Sequence, residues 1–272
     1  LRQRCLAVGP LPGCQRMTPM HQTTVILGQP ELERVSSLER ELGEMVSLGL
    51  SMNESRGLKE LSPSLAAELE RAQDDRGQGD VLEMLAACLR HTQRVTLCIR
   101  AGIHVVPITV FPRERLYHCP VDEAPLLDCD LSGWAVLRIE PALWDLDAQV
   151  DELRPAPQQV RPIGPLLWLI ALRGPRDSLL PEIDGPAAYR VAPGFDIRPL
   201  PGGSVLGRLV EPMRSQPRDL LELSRELGLQ QDSTCRWLNA LYLQSGLIVS
   251  RTMGTSKFSR SFIKGRSAGM LD

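Results

Sequence analysis

Residues 217–251, PRDLLELSRELGLQQDSTCRWLNALYLQSGLIVSR, restrict this chain more than any other stretch, because they read as helix, tight turn, second helix and strand in immediate succession. Pro217 precedes apolar positions at helical spacing, Leu220, Leu221, Leu223 and Leu227. Gly228 tolerates the positive φ that ends a helix, and Leu229 plugs the corner between the two helices. Asp232 and Ser233 are the expected N-cap residues of the second helix. That helix should bury Cys235, Leu238, Leu241 and Tyr242, stop at Gly246 and pass into the strand Leu247-Ile248-Val249. An earlier helix, Val205 to Arg214, supplies a third member through Leu206, Leu209, Val210 and Met213, and should end or kink at Pro212.

Glu222-Leu223-Ser224, Leu227-Gly228-Leu229, Thr234 and Gly246-Leu247-Ile248 together resemble the winged helix-turn-helix of bacterial regulators. The resemblance covers about a fifth of the chain and implies DNA binding through the second helix, with Thr234, Arg236, Trp237 and Ala240 turned outward. Arg236 would then read a base edge, with Asn239 or Gln244 as further candidates. Ser233 and Thr234 would touch phosphate, and Arg251 and Lys257 would lie along the backbone. Against this, only one arginine stands on that face, and Asp232 at the helix start faces the phosphates. Trp237 suits a protein contact at least as well, so the rival reading is a winged helix that packs, dimerises or serves as a protein adaptor with Trp237 and Arg236 as anchors.

Charge is divided unevenly. Residues 205–272 hold ten Arg or Lys against six Asp or Glu, so this part is about four units positive while the whole chain has formal net charge −2. Arg251, Lys257, Arg260, Lys264 and Arg266 carry most of the excess, either as a phosphate-contacting tail or as a solvated, Ser- and Gly-rich end. The seven cysteines show no CxxC spacing, and we expect a reducing, cytoplasmic compartment. The longest apolar stretch, Ile163 to Leu172, is shorter than the roughly 20 residues of a membrane span. Residues 1–16 lack periodicity, and Met17 or Met20 is the expected natural start.

The first two hundred residues predict an α+β arrangement with N-terminal helices and a small antiparallel sheet. Helices are expected from Pro30 to Leu48, from Leu61 to Ala72 and, capped by Asp80, through Val81, Leu82, Met84, Leu85, Cys88 and Leu89. The period then changes to two: Val95, Leu97 and Ile99 form one strand and Ile103 to Phe111 a second, with Pro107 marking an edge or bulge. Arg115 to Val121 and Trp134 to Ile139 complete the sheet. Ala142 to Leu153 suggests an acidic helix, Arg154 to Pro165 a Pro-rich linker, and Leu166 to Leu172 a single buried strand. Residues 174–203, rich in Pro and Gly, suggest a draped loop or hinge. The expected partition is a leader at 1–23, an α+β interaction domain at 24–155, a linking region with one strand at 156–203, a winged helix at 204–252 and a basic flexible tail at 253–272.

The helix at 80–91 followed by strands and the hairpin ITVFPRERLYHC resembles the PATAN domain of PatA-type response regulators. Val110, Phe111 and Leu116 fit its second hairpin, whereas Arg113-Glu114-Arg115 stands where the family prefers Gly and Gln93-Arg94 where it has Thr-Gly. The likeness spans about forty residues and implies an interaction module of a signalling protein.

No catalytic signature is present. His118, Cys119, Asp128 and Cys129 lack the paired spacing of a zinc site. Asp128 and Asp130 read as turn formers, there is no GxSxG, and Gly202-Gly203 reads as a helix entry without GK[ST] or GxGxxG. We therefore expect no metal, no cofactor and no enzyme, but a bacterial regulatory or signalling protein whose partner is DNA or another protein. A small-molecule sensor using the sheet and the Pro/Gly loop is a third reading.

Overall fold

The computed structural model describes residues 32–47, 61–74, 78–142, 146 and 159–251. The leader, the break at 49–57, the acidic helix proposed beyond Ala142 and the tail with Lys257 lie outside them. The described residues form an α+β fold. Helices α1 (Val35–Ser47), α2 (Pro63–Arg71) and α3 (Val81–His91) precede strands β1 (Val95–Ala101), β2 (His104–Phe111) and β3 (Leu116–His118). A short helix α4 (Glu123–Asp128), strand β4 (Ala135–Pro141) and strand β5 (Val160–Pro162) follow, then helix α5 (Ile163–Arg173) and strand β6 (Ala187–Val191). The chain continues through α6 (Gly203–Ser215), α7 (Leu220–Leu227), α8 (Gln231–Leu243) and β7 (Leu247–Arg251).

Strands β1 to β5 form one sheet in the order β4-β1-β2-β3-β5, every pairing antiparallel. Alternation puts Val95, Leu97 and Ile99 of β1 and Val106, Ile108 and Val110 of β2 on the main core face. The opposite face carries Cys98 and Val105, covered by Leu38 and Leu42 of α1. Strand β2 is internal in the sheet order, yet β3 reaches only Thr109 to Phe111. Val105 N–H donates to Glu33 O, away from β1. The same period turns the position of Pro107 toward that side, beyond the reach of β3, so the proline interrupts no ladder bond. Asp80 caps α3 as its sequence predicts, its carboxylate accepting Glu83 N–H at 2.9 Å.

Two elements differ in kind from expectation. Leu166 to Leu172 is not a strand but the body of α5, an eleven-residue helix. A short apolar run cannot distinguish the two by period, and Gly164 and Pro165 sit in the first turn, where helix N–H groups have no intrahelical acceptor. The Pro-rich segment before it supplies β5, which pairs with β3. A second, two-stranded sheet joins β6 to β7, so the partner of β7 comes from upstream of all three C-terminal helices. Tyr189 of β6 also forms an isolated bridge with Arg218. One apolar cluster runs from Leu61 through the main sheet face and α5 to Leu247.

Candidate functional site

Helices α7 and α8 and the turn between them form as their residues dictate. Asp219 and Glu222 make a reciprocal capping box at the start of α7. Gly228 takes φ +63°, and Leu229 N–H returns to Ser224 O at 3.1 Å. Leu223, Leu227, Leu238 and Leu241 are buried in one cluster with Leu229 packed against it. The N-cap of α8 is Gln230 rather than Asp232 or Ser233, and no side chain closes it. The helix starts earlier because Thr234 is turned inward. Its hydroxyl bonds Gln230 O at 3.2 Å and accepts from Ser224 Oγ at 3.0 Å, locking the two helices together.

The outward face expected for α8 is turned against the rest of the chain. Thr234, Asn239 and Ala240 are each 0% exposed. Arg236 Nη1 donates to Gly174 O at 2.6 Å. Trp237 meets Trp168 of α5 edge to face, with centroids 5.9 Å apart and planes at 70°. Asn239 Oδ1 accepts Leu180 N–H at 2.9 Å, and its Nδ2 donates to Ser178 O at 2.9 Å. Gln244 adds a bond from Nε2 to Gly164 O at 2.8 Å. Ser233 is half-buried. Arg251 is exposed but bonds Glu182 O at 2.9 Å through Nη2. The physical reason for the correction is α5: as a helix it presents a stripe broad enough to cover α8, which a single strand would not. Sequence reasoning missed Trp168, Gly174, Ser178 and Leu180 as the partners of this face. Asn239, a polar residue inside an otherwise apolar stretch of helix, was the one available signal.

Arg176, just beyond α5, pins this segment to the N-terminus of α3. Its guanidinium reaches Asp80 Oδ2 at 3.1 Å and Glu83 Oε2 at 2.6 Å, and it donates to Ser178 O and Leu179 O. It lines an open cleft of about 460 Å³ together with Arg71, Arg100 and Trp134. A second cleft of about 360 Å³ lies between α3, the β2–β3 turn and the α8–β7 corner, lined by Leu89, Arg90, Arg115, Tyr242, Ser245 and Leu247. Arg90 is ion-paired with both Glu68 and Glu182. Arg115 Nη2 donates to Leu243 O at 2.9 Å.

The five described thiols, Cys88, Cys98, Cys119, Cys129 and Cys235, are all buried and unpaired. Burial pushes Cys88 and Cys98 up to about 12 and Cys119 up to about 11, which keeps them protonated and poorly nucleophilic. Burial also lowers the His118 imidazole, against the opposing bond to Gln159. Among the described residues no group of three or more His, Cys, Asp or Glu is placed to hold a metal ion. No described helix is long and apolar enough to cross a membrane. Comparison with protein-family models, with curated proteins and with solved structures finds no match to this chain.

Proposed function

We propose that this chain is a non-enzymatic bacterial regulatory protein of the cytoplasm, and that its C-terminal winged helix works as a protein-binding adaptor rather than as a reader of DNA. One observation carries the choice between the two. The face of α8 that would have to enter a major groove is packed on α5 and the 174–180 segment, with Asn239 fully buried and bonded at both ends. A groove-reading helix must leave its base-contacting side chains free to meet base edges. Duplex reading by this face would require α8 to separate from α5, losing the Trp168–Trp237 contact and both Asn239 bonds.

The test is a titration of the full chain into a fluorescent duplex of random sequence at about 50 and about 200 mM salt. The adaptor reading expects no saturable binding at micromolar protein and no difference between the wild type and Arg236→Ala. Tight binding that weakens steeply with salt and disappears in Arg236→Ala would replace it with the DNA reading.

A further inference from the structure

Among the described residues, strand β7 is paired on one side only. Tyr189 N–H donates to Arg218 O at 2.7 Å, so residues 187, 189 and 191 of β6 turn their backbone groups away from β7. Their antiparallel opposites, Arg251, Val249 and Leu247, therefore direct N–H and C=O outward. No described residue forms a ladder on that side. Strand β7 has no proline, no bulge and no lysine, and the charge at its end, Arg251, is bonded to Glu182 O. Ile248 stands 43% exposed beside this edge.

The edge begins at the 360 Å³ cleft, because Leu247 belongs to both. Two arginines, Arg90 and Arg115, line that cleft. Arg90 already has Glu68 and Glu182 as partners, whereas no described carboxylate pairs with Arg115, whose guanidinium donates to a backbone carbonyl. Tyr242 lines the same cleft. Arg115 is also held at φ +57°, a conformation that glycine adopts without cost. An arginine kept in a strained turn, with its head in a cleft, points to a use for that head.

We infer that the β7 edge and this cleft together receive an extended acidic segment of a partner protein, which adds as a strand to β7 and seats a carboxylate against Arg115. Backbone bonds to Leu247 and Val249 supply affinity, and the arginine and Ile248 supply selectivity for a carboxylate followed by a β-branched residue. The assignment rests on the adaptor reading, whose partner class it names.

The experiment selects peptides of about nine random residues from a displayed library on the full chain. Selected sequences should share one Asp or Glu flanked by β-branched residues. They should bind Arg115→Gly at least about tenfold more weakly and Arg115→Lys to an intermediate degree. Arg115→Gly relieves the positive φ, so its melting temperature should stay within about 4 °C of the wild type, which separates binding from folding. Bound peptide should also slow hydrogen exchange at the Val249 amide. Failure to select any sequence, equal binding by Arg115→Gly, or an unprotected Val249 amide overturns the site. If the duplex titration is negative at the same time, only the site fails. Arg236-dependent duplex binding instead removes the adaptor reading beneath it.

Discussion

Asn239 holds Ser178 and Leu180 as a strand would. Its fully buried side-chain amide accepts the Leu180 N–H and donates to the Ser178 carbonyl, both at 2.9 Å. Asn239→Ala leaves the buried Leu180 N–H without its acceptor, at a cost of about 1–3 kcal/mol, while Ser178 O keeps the bond from Arg176 Nε. We expect a loss of about 2 kcal/mol, read as a lower urea midpoint with unchanged slope. Asn239→Asp should be at least as costly, because its second oxygen faces a carbonyl oxygen. A midpoint within experimental error of the wild type would show that the 178–180 segment is not held by this side chain.

The Trp168–Trp237 contact is the apolar part of the same junction. Trp237→Ala should destabilise by about 3 kcal/mol through lost burial and the cavity left beside α5. Near-ultraviolet circular dichroism should lose intensity in the tryptophan region while the far-ultraviolet helix signal persists. Gly202, at φ +155°, lies under this ring: an added Cβ would meet Trp237 at 2.8 Å. Gly202→Ala should therefore share the spectral change, and a native near-ultraviolet spectrum in both variants would contradict the packing.

Arg176 is 12% exposed and Glu83 14%, so their ion pair is largely shielded from solvent. Removing Arg176 strands Glu83 and Asp80, whereas Glu83→Gln leaves Arg176 still paired with Asp80. Arg176→Met should lower stability by about 2 kcal/mol and Glu83→Gln by less, and the double variant should lose clearly less than the two added together. Strict additivity in this cycle would mean that the two side chains do not interact in solution.

The buried thiols make stability fall in alkali. Cys88 and Cys98 titrate at about 12 in the folded chain against an ordinary value of 9.0. Above pH 9 the unfolded chain has lost these protons while the folded chain still holds them. Stability is therefore fully present below about pH 9 and is lost between about 9 and about 12, with a limiting slope of about 1.4 kcal/mol per pH unit for each thiol. Denaturant midpoints measured from pH 8 upward should fall in that window, and by less in Cys88→Ala once its own lower midpoint at pH 8 is subtracted. In the native chain at neutral pH, Cys88 and Cys98 should escape thiol-specific labelling.

Local rules were legible where one principle acted alone. Asp80 as a cap, Gly228 as a helix stop and the change to period two at Val95 needed no tertiary information, and each forms as its residues predict. Legibility failed where two surfaces compete for one element. Helix α8 is buried on two sides, and the second side includes Arg236 and Asn239, which in a sequence look like a surface. Helix α5 is apolar almost all round, so nothing in its pattern distinguished a helix from a strand. The β6–β7 pairing spans some sixty residues, with no hairpin signal to announce it. The clefts were equally hidden, since Arg90, Arg115, Tyr242 and Ser245 come together only where α3, the β2–β3 turn and the α8–β7 corner meet.

The origin of β6 sets how this chain can be divided. Residues 187–191 give β7 its only described ladder and bridge to Arg218, so a fragment cut just before α6 would expose both flanks of β7. Such a fragment would be a poor reagent, prone to self-stacking through its bared strand. Any excised C-terminal piece must begin upstream of α5, which makes the Trp168 helix, and not the Pro/Gly stretch after it, the boundary for engineering.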